Sequence, residues 1–277
     1  MRVVDLDRDM RDVIPTGTTR DSEFLFARMT ERTLALASAA PGRRILDVAS
    51  GFGQDARALV AKGSRVAAAE PSARMSALAR MQDAVHPDHQ PLHLRAWADA
   101  LPFADASFDA VICKGAIDHF DAPLAAVGEM ARVTRAAGCV VLAIANFDSL
   151  SCRIARAADA LRESWLEREL PRGRRHYDVP HDHFTRYELP LMREQAEAHL
   201  RLDVVEGISL GWGLPRFSRL VERLPAKAAQ AALAALDRWA RVWPDVADVV
   251  VLAGRPRRSA ISSAYASAVR CATRGHA

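Results

Sequence analysis

No stretch of this 277-residue sequence is long enough to span a membrane, and no two of its four cysteines stand in a C-x-x-C spacing. The richest apolar stretches, Ala226 to Leu236 and Val246 to Gly254, are both too short to cross a bilayer. With Cys113, Cys139, Cys152 and Cys271 scattered, neither a zinc site nor a disulfide framework is implied. Cys113 and Cys139 fall in predicted strands, as small core hydrophobes. Met1 to Val13 mixes Arg2, Asp5, Asp7 and Arg8 without an apolar centre, so it does not read as a secretory signal, and a soluble cytoplasmic chain is expected. There is no internal repeat. The net charge of +4 is also uneven: the segment from Arg255 to Ala277 holds five arginines and no acid, so the remainder carries −1. The basicity belongs to a tail that reads as solvated, with RNA or an anionic membrane as the lesser reading, and no nucleic acid is expected as partner. Half the residues are apolar, enough for one generous domain or a domain with a cap.

What is present centres on Arg44 to Ala56. Ile45, Leu46 and Val48 suit a strand covered on both faces, and Gly51 and Gly53 let the backbone bend and approach a ligand closely. From Gln54 to Lys62, Ala56, Leu59 and Val60 recur at helical spacing, and Gly63 stops the helix. Gly51, Gly53 and Ala56 also satisfy the G-x-G-x-x-G/A spacing of dinucleotide folds. A second strand, Arg65 to Ala69, ends in Glu70-Pro71, and a carboxylate there can accept both hydroxyls of a ribose. Ser72 caps the next helix, in which Met75 and Met81 read as core fillers. His86, His89 and His93 sit in a connecting loop around two prolines, where a surface loop is preferred over a metal site. A short run at Leu92 to Leu94 precedes Trp97-Ala98-Asp99, and Phe108-Asp109-Ala110-Val111-Ile112-Cys113 follows.

This ordered series, completed by Glu129-Met130-Ala131-Arg132-Val133 before Gly138, resembles the class I S-adenosylmethionine-dependent methyltransferases, of the ubiquinone-biosynthesis and small-molecule type. The resemblance covers about Leu34 to Asn146. It implies an α/β fold with a doubly wound, seven-stranded, mostly parallel sheet, strand seven antiparallel beside strand five, and a helical cap inserted after strand five. The expected organisation is an N-terminal arm and helix (1–40), a cofactor-binding core (41–149), a cap (150–200), the rest of the core sheet (201–256) and a basic tail (257–277). It implies S-adenosyl-L-methionine as cofactor, with S-adenosyl-L-homocysteine as product. Asp47 would organise the turn, Ala49 and Gly51 approach the methionine moiety, Glu70 take the ribose and Asp99 the adenine amino group. Ser50, Gly53, Pro71 and Ala98 complete the site, with Lys114 lining it through its backbone. Ala49 stands where the family often has glycine and Ser50 where it often has cysteine; both are small, so the turn should survive. The function implied is methyl transfer to O or N of a small molecule in a bacterial biosynthetic pathway. A nicotinamide-dependent oxidoreductase ranks below it, because that enzyme needs neither Asp47 nor Asp99. A non-catalytic module that binds S-adenosylmethionine is the third reading.

Residues for catalysis are less marked. Asp118-His119 follows the fourth strand, where ligands bind in open α/β sheets, and His119 either contacts substrate as a base or caps the helix starting near Pro123. A helix from Leu150 to Leu170 and the loop His176 to Arg186 read as a lid, and His181 and His183 share a face if that loop is extended. Their roles rank as substrate pocket and lid packing, then general base, then metal; no metal site is assigned. Further on, a helix to His199, a strand at Leu202 to Ile208, a flexible connection through Gly207, Gly211 and Gly213, and a helix at Ala226 to Trp243 are expected. Trp239 and Trp243 on the last helix read as core or homodimer packing, and Asp248 to Gly254 closes the sheet.

Overall fold

The computed structural model describes residues 19–166, 177–178, 184–214 and 216–257. The N-terminal arm, most of the loop that carries His181 and His183, and the basic tail from residue 258 lie outside the described residues. Seven strands, β1 (Arg44–Val48), β2 (Arg65–Ala69), β3 (Leu92–Leu94), β4 (Phe108–Lys114), β5 (Thr134–Ala145), β6 (Leu200–Ile208) and β7 (Val249–Pro256), form one sheet. Their order is β3-β2-β1-β4-β5-β7-β6, with β7 antiparallel to both neighbours and every other pairing parallel. This is the doubly wound architecture expected from the sequence. The order reverses between β1 and β4, which opens a crevice at the carboxyl ends of those strands.

The apolar strand sequences account for the layers. Alternation sends Leu46 and Val48 to one face, with Val111, Val140 and Leu142, and sends Ile45 to the other, with Ile112 and Val141. Both faces are therefore covered. Two helices, α1 (Arg20–Leu36) and α2 (Gln54–Ala61), supply Leu25, Met29, Leu34, Ala56 and Leu59 to the Ile45 side. The opposite side is closed by α4 (Pro123–Val133) and α6 (Leu189–His199) through Val127, Met130, Met192 and Ala196. The helix α3 (Ala73–Val85) starts as the sequence predicts, with the Ser72 hydroxyl accepting from the Met75 amide at 3.0 Å. Of its two methionines only Met75 is buried; Met81 is exposed, because it falls on the solvent side of the helix. After β5 comes α5 (Leu150–Leu166).

The C-terminal third departs most from expectation. Gly207 is not part of a flexible connection but lies inside β6, under the helix α8 (Ala226–Val242). A Cβ there would stand 2.2 Å from the Ala240 carbonyl oxygen and 2.5 Å from the Ala247 Cβ, so only glycine lets helix and strand approach this closely. The stretch after Gly211 and Gly213 forms α7 (Phe217–Arg223), whose Val221 packs with Phe24, Ala229 and Leu233. Trp239 and Trp243 are 58% and 49% exposed. Of the core or homodimer packing expected of them, this arrangement removes the core, because the buried face of α8 is already supplied by Ala229, Leu233 and Ala240. Among the described residues no helix is long and apolar enough to cross a membrane. Because the obstacle at Gly207 is backbone, Gly207→Ala should destabilise the protein by about 1–3 kcal/mol in chemical denaturation, the usual cost of overpacking. An unchanged midpoint would mean that α8 does not press on β6.

Candidate functional site

The site is built at the carboxyl ends of β3, β2, β1 and β4, which stand side by side in that order. Between β1 and α2 three residues take left-handed backbone: Ala49 (φ 54°), Gly51 (φ 55°) and Gly53 (φ 79°). Gly51 and Gly53 tolerate this freely; Ala49, lacking a glycine's freedom, stores roughly 1–2 kcal/mol of strain. The two glycines serve different purposes. A Cβ on Gly51 would meet nothing within 4 Å, so this bend faces open space. A Cβ on Gly53 would lie 3.1 Å from both the Arg57 guanidinium and the His93 ring.

Those two side chains form a brace behind the turn. Arg57 donates to the Phe52 carbonyl at 2.9 Å and to Asp83 at 3.2 Å, while the His93 ring bonds the other Asp83 oxygen at 2.7 Å. His93 thus belongs to the support of the turn and not to the surface loop in which sequence reasoning placed it; His86 and His89 are exposed. Among the described residues no cluster of His, Cys, Asp and Glu is arranged to hold a metal.

In front of the turn the edge is acidic. Glu70, at the end of β2, accepts from the Gly51 amide through one oxygen and from the Ser72 amide through the other, both at 2.9 Å. Pro71, beside it, offers its carbonyl to Arg95. Ala98 and Asp99 sit half-buried in the turn after β3, where the Ala100 amide reaches back to Trp97. The following loop is fastened by the Glu-x-x-Arg pair of α4. Glu129 accepts from the Leu101 amide at 3.0 Å, and Arg132 donates to the carbonyls of Leu101 and Phe103. Lys114, ending β4, turns its ammonium to Asp55 (2.7 Å) and to the Thr30 hydroxyl (2.6 Å), leaving its backbone at the crevice.

Asp47 is buried, with one oxygen, Oδ2, lacking any hydrogen-bond partner; the Ser50 hydroxyl beside it is also unpartnered. Burial, followed by the nearby Asp55 carboxylate, pushes the Asp47 carboxyl well above the usual range, with Lys114 pulling the other way. A buried carboxylate oxygen and a buried hydroxyl without partners, next to a bend open on one side, are features that a bound polar ligand would complete. Cys113 lies in the same layer and its thiol is held protonated by burial first and by Asp47 next, so it is a core side chain and not a nucleophile.

The loop after β4 forms a short 3-10 turn at Ile117–His119, with Ile117 and Asp118 buried and His119 exposed. It does not cap α4, whose N-cap is Ala122. The Asp118 carbonyl accepts from the amides of Phe184 and Thr185, so the returning end of the cap insertion is tied to this loop. Tyr187 then plugs the core, its hydroxyl donating to Gln195 at 2.7 Å. His181 and His183 lie outside the described residues. A cavity of about 500 Å³ lined by Pro41, Arg43, Asp109, Arg135 and Gly138 opens at the opposite, amino end of the strands. There Asp109 already engages both arginines, one through its carboxylate and one through its carbonyl.

Residues 46–142 match the family model described as a methyltransferase domain. The segment is similar to that family over about a third of the chain, and the seven-stranded, mostly parallel sheet is the class I methyltransferase type of fold. The chain is 34% identical over 132 residues to a demethylmenaquinone methyltransferase of Renibacterium salmoninarum, covering 48% of this chain and 51% of that protein. It is 26% identical over 144 residues to a ubiquinone biosynthesis O-methyltransferase of Xanthomonas campestris, covering 52% and 59%. The chain thus spans about half the length of these relatives. Among solved structures, a protein solved in complex with the Haloferax volcanii Trm112 methyltransferase activator superposes with a TM-score of 0.57 at 20% identity, over 91% of this chain and 98% of that one. This likeness is one of fold.

The raised Asp47 carboxyl has a consequence for stability. A folded-state value above the unfolded value of about 3.9 means that the contribution of Asp47 to stability is fully present below that pH and is lost as pH rises through the folded value. Asp47→Asn has no such dependence. Its urea midpoint should therefore gain on the wild type as pH is raised from acid toward neutral. A difference that stays constant with pH, or shrinks, would show that Asp47 is ionised in the fold.

Proposed function

We propose that this chain transfers the methyl group of S-adenosylmethionine to an oxygen or nitrogen of a small-molecule acceptor in a biosynthetic pathway, with a quinone-type ring as the acceptor class. The observation that carries the donor assignment is the acid-lined glycine turn. Asp47, Asp55 and Glu70 gather there with Lys114, which is already paired with Asp55, and Asp99 follows β3 on the same side of the sheet. Such an edge favours a ligand bearing positive charge, and S-adenosylmethionine carries both a sulfonium and an ammonium. It disfavours a pyrophosphate. The Gly51 amide, which a dinucleotide would need for its phosphates, is given to Glu70. The acceptor class is supported by the names of the two relatives above, demethylmenaquinone and ubiquinone biosynthesis methyltransferases.

In this reading residues 41–149 form the donor-binding unit and 150–200 the cap over the acceptor. Ala49, Ser50, Gly51 and Gly53 shape the cradle for the methionine part, and the Asp47 carboxyl beneath them holds the turn. Glu70, fixed by Gly51 and Ser72, takes the ribose hydroxyls, with Pro71 setting the wall beside it. Ala98 and Asp99 close on the adenine, held in place by the Glu129 and Arg132 bonds to the next loop. The backbone at Lys114 borders the methionine side. The cofactor supplies a methyl already activated on positively charged sulfur, so the chain has chiefly to align an acceptor with it. Alignment can contribute roughly 7–11 kcal/mol, against about 10²–10⁴-fold from a general base. His119, exposed beside the crevice, is placed to take the acceptor's proton, with His181 and His183 of the cap as further candidates.

Glu70→Ala would remove the acceptor of two backbone amides and disturb the turn itself. Asp99→Ala tests the adenine assignment. Loss of a charged hydrogen bond to the ligand should weaken S-adenosylhomocysteine binding by about tenfold or more without unfolding the protein. The wild type should move labelled methyl from S-adenosylmethionine to at least one member of a panel of hydroxylated benzoquinols and naphthoquinols. Unchanged affinity in Asp99→Ala would remove the adenine assignment, and labelling of none of the panel would remove the acceptor class.

A further inference from the structure

The amino ends of the strands carry a second concave surface, at the edge of the sheet away from the glycine turn. It is the cavity of about 500 Å³ lined by Arg43, which precedes β1, by Asp109 of β4, by Arg135 and Gly138 of β5, and by Pro41. An irregularity in the sheet shapes it. Thr134 pairs with Phe108 and Cys139 with Ala110, so the stretch from Arg135 to Gly138 stands opposite the single residue Asp109. A Cβ on Gly138 would lie 2.7 Å from the Asp109 carbonyl oxygen, so this bulge is seated directly on β4.

Two guanidinium groups line the cavity with one carboxylate, and both oxygens of that carboxylate are engaged. Asp109 accepts from the Arg44 amide through Oδ2 at 2.9 Å and pairs with Arg135 through Oδ1. Arg43 gives one N–H, from Nη2, to the Asp109 carbonyl at 3.1 Å, and its buried Nε has no partner. A buried polar group left unpaired is costly, and an anion in the cavity would offer the missing acceptor. Beyond these bonds neither guanidinium has a partner among the described residues, although each carries five N–H donors. The acids of the adjoining segments are held in the same way. Asp105, in the loop before β4, accepts from Arg132 at 2.8 Å, and Asp203 of β6 accepts from Arg255 of β7 at 3.0 Å. Arg44 and Arg65, which open β1 and β2, are exposed at this edge.

We propose that this cavity binds a small molecule through a phosphate group. A phosphate accepts forked N–H pairs from guanidinium groups on two sides, and it brings the negative charge that Arg43 and Arg135 together lack once Asp109 is counted. A carboxylate has fewer oxygens to share between two forks. The volume lies within the range of small-ligand sites and leaves space beyond a bare phosphate. Pro41, Ala137 and Gly138 add small apolar surface for an organic part. This is not the methyl-donor site: the whole of β1, five residues at about 3.3 Å each, separates it from the glycine turn. The inference rests on this cavity alone and stands apart from the methyl-transfer reading.

Calorimetric titration of the full-length protein with phenyl phosphate, inorganic phosphate and acetate, at fixed ionic strength in a phosphate-free buffer, tests it. Saturable binding of phenyl phosphate at one site per chain is expected, with acetate weaker by roughly tenfold or more. Arg43→Gln should lose about tenfold or more in phenyl phosphate affinity, and Arg43→Lys, which keeps the charge without the fork, should fall between that variant and the wild type. Melting temperatures without ligand check that both variants fold; if Arg43→Gln does not, the loss in Arg43→Lys decides. Saturation with S-adenosylhomocysteine should leave phenyl phosphate binding unchanged. The proposal is overturned if phenyl phosphate does not bind, or if acetate binds as tightly. It is equally overturned if the Arg43 variants bind like the wild type, which would assign the anion to the basic tail, or if S-adenosylhomocysteine displaces phenyl phosphate, which would place it in the crevice.

Discussion

The hydrogen bond from the Gly51 amide to Glu70 joins the end of β2 to the turn after β1, and the geometry of the carboxyl edge depends on it. Its partner bond, from the Ser72 amide, fixes the same carboxylate to the start of α3. One side chain thus sets the distance between a glycine turn and the next helix. The turn in between contains an alanine in left-handed backbone, a conformation that persists only when its surroundings over-determine it. Those surroundings are Glu70 in front and the Arg57, Asp83 and His93 brace behind. Two opposed sets of hydrogen bonds hold the backbone while Gly51 stays open to a ligand.

The same bond decides which ligand the edge suits. Dinucleotide folds use free amides at the helix start to receive phosphate, and here that amide is occupied by a carboxylate. Acid is concentrated where those folds need neutrality or positive charge. Burial and the neighbouring Asp55 carboxylate raise the Asp47 carboxyl, and Lys114 pairs with Asp55. A cationic ligand would relieve the crowding that burial and like charge impose, and in the proposed function the sulfonium donor supplies that charge.

Much of this was legible in the sequence, for local reasons. The β1 strand, its glycines and α2 are contiguous, and their alternation, bends and helical spacing lie within Arg44 to Ala61. Glu70 was readable as the end of β2 because it follows directly on a short apolar run, and Asp99 lies in the turn five residues beyond the end of β3. The brace was not, since Arg57, Asp83 and His93 are separated by 26 and 10 positions and their pairing exists only once α2, α3 and β3 have packed. Gly207 misled for a related reason: a glycine inside a strand reads as a weak point unless the helix above it is known. The periodicity of α8 marked it as amphipathic, but no local pattern told that Trp239 and Trp243 fall just off the buried stripe. The sequence also could not show that the Glu129 and Arg132 motif exists to fasten the loop following Asp99.

The central claim is that the acid-lined turn seats S-adenosylmethionine, and calorimetric titration of the purified chain with S-adenosylhomocysteine, with reduced nicotinamide dinucleotide as comparison, tests it most directly. The account predicts saturable binding of S-adenosylhomocysteine alone, with one site per chain. Binding of the nicotinamide dinucleotide in its place would contradict it, because it would require the Gly51 amide and the acidic edge to receive a pyrophosphate.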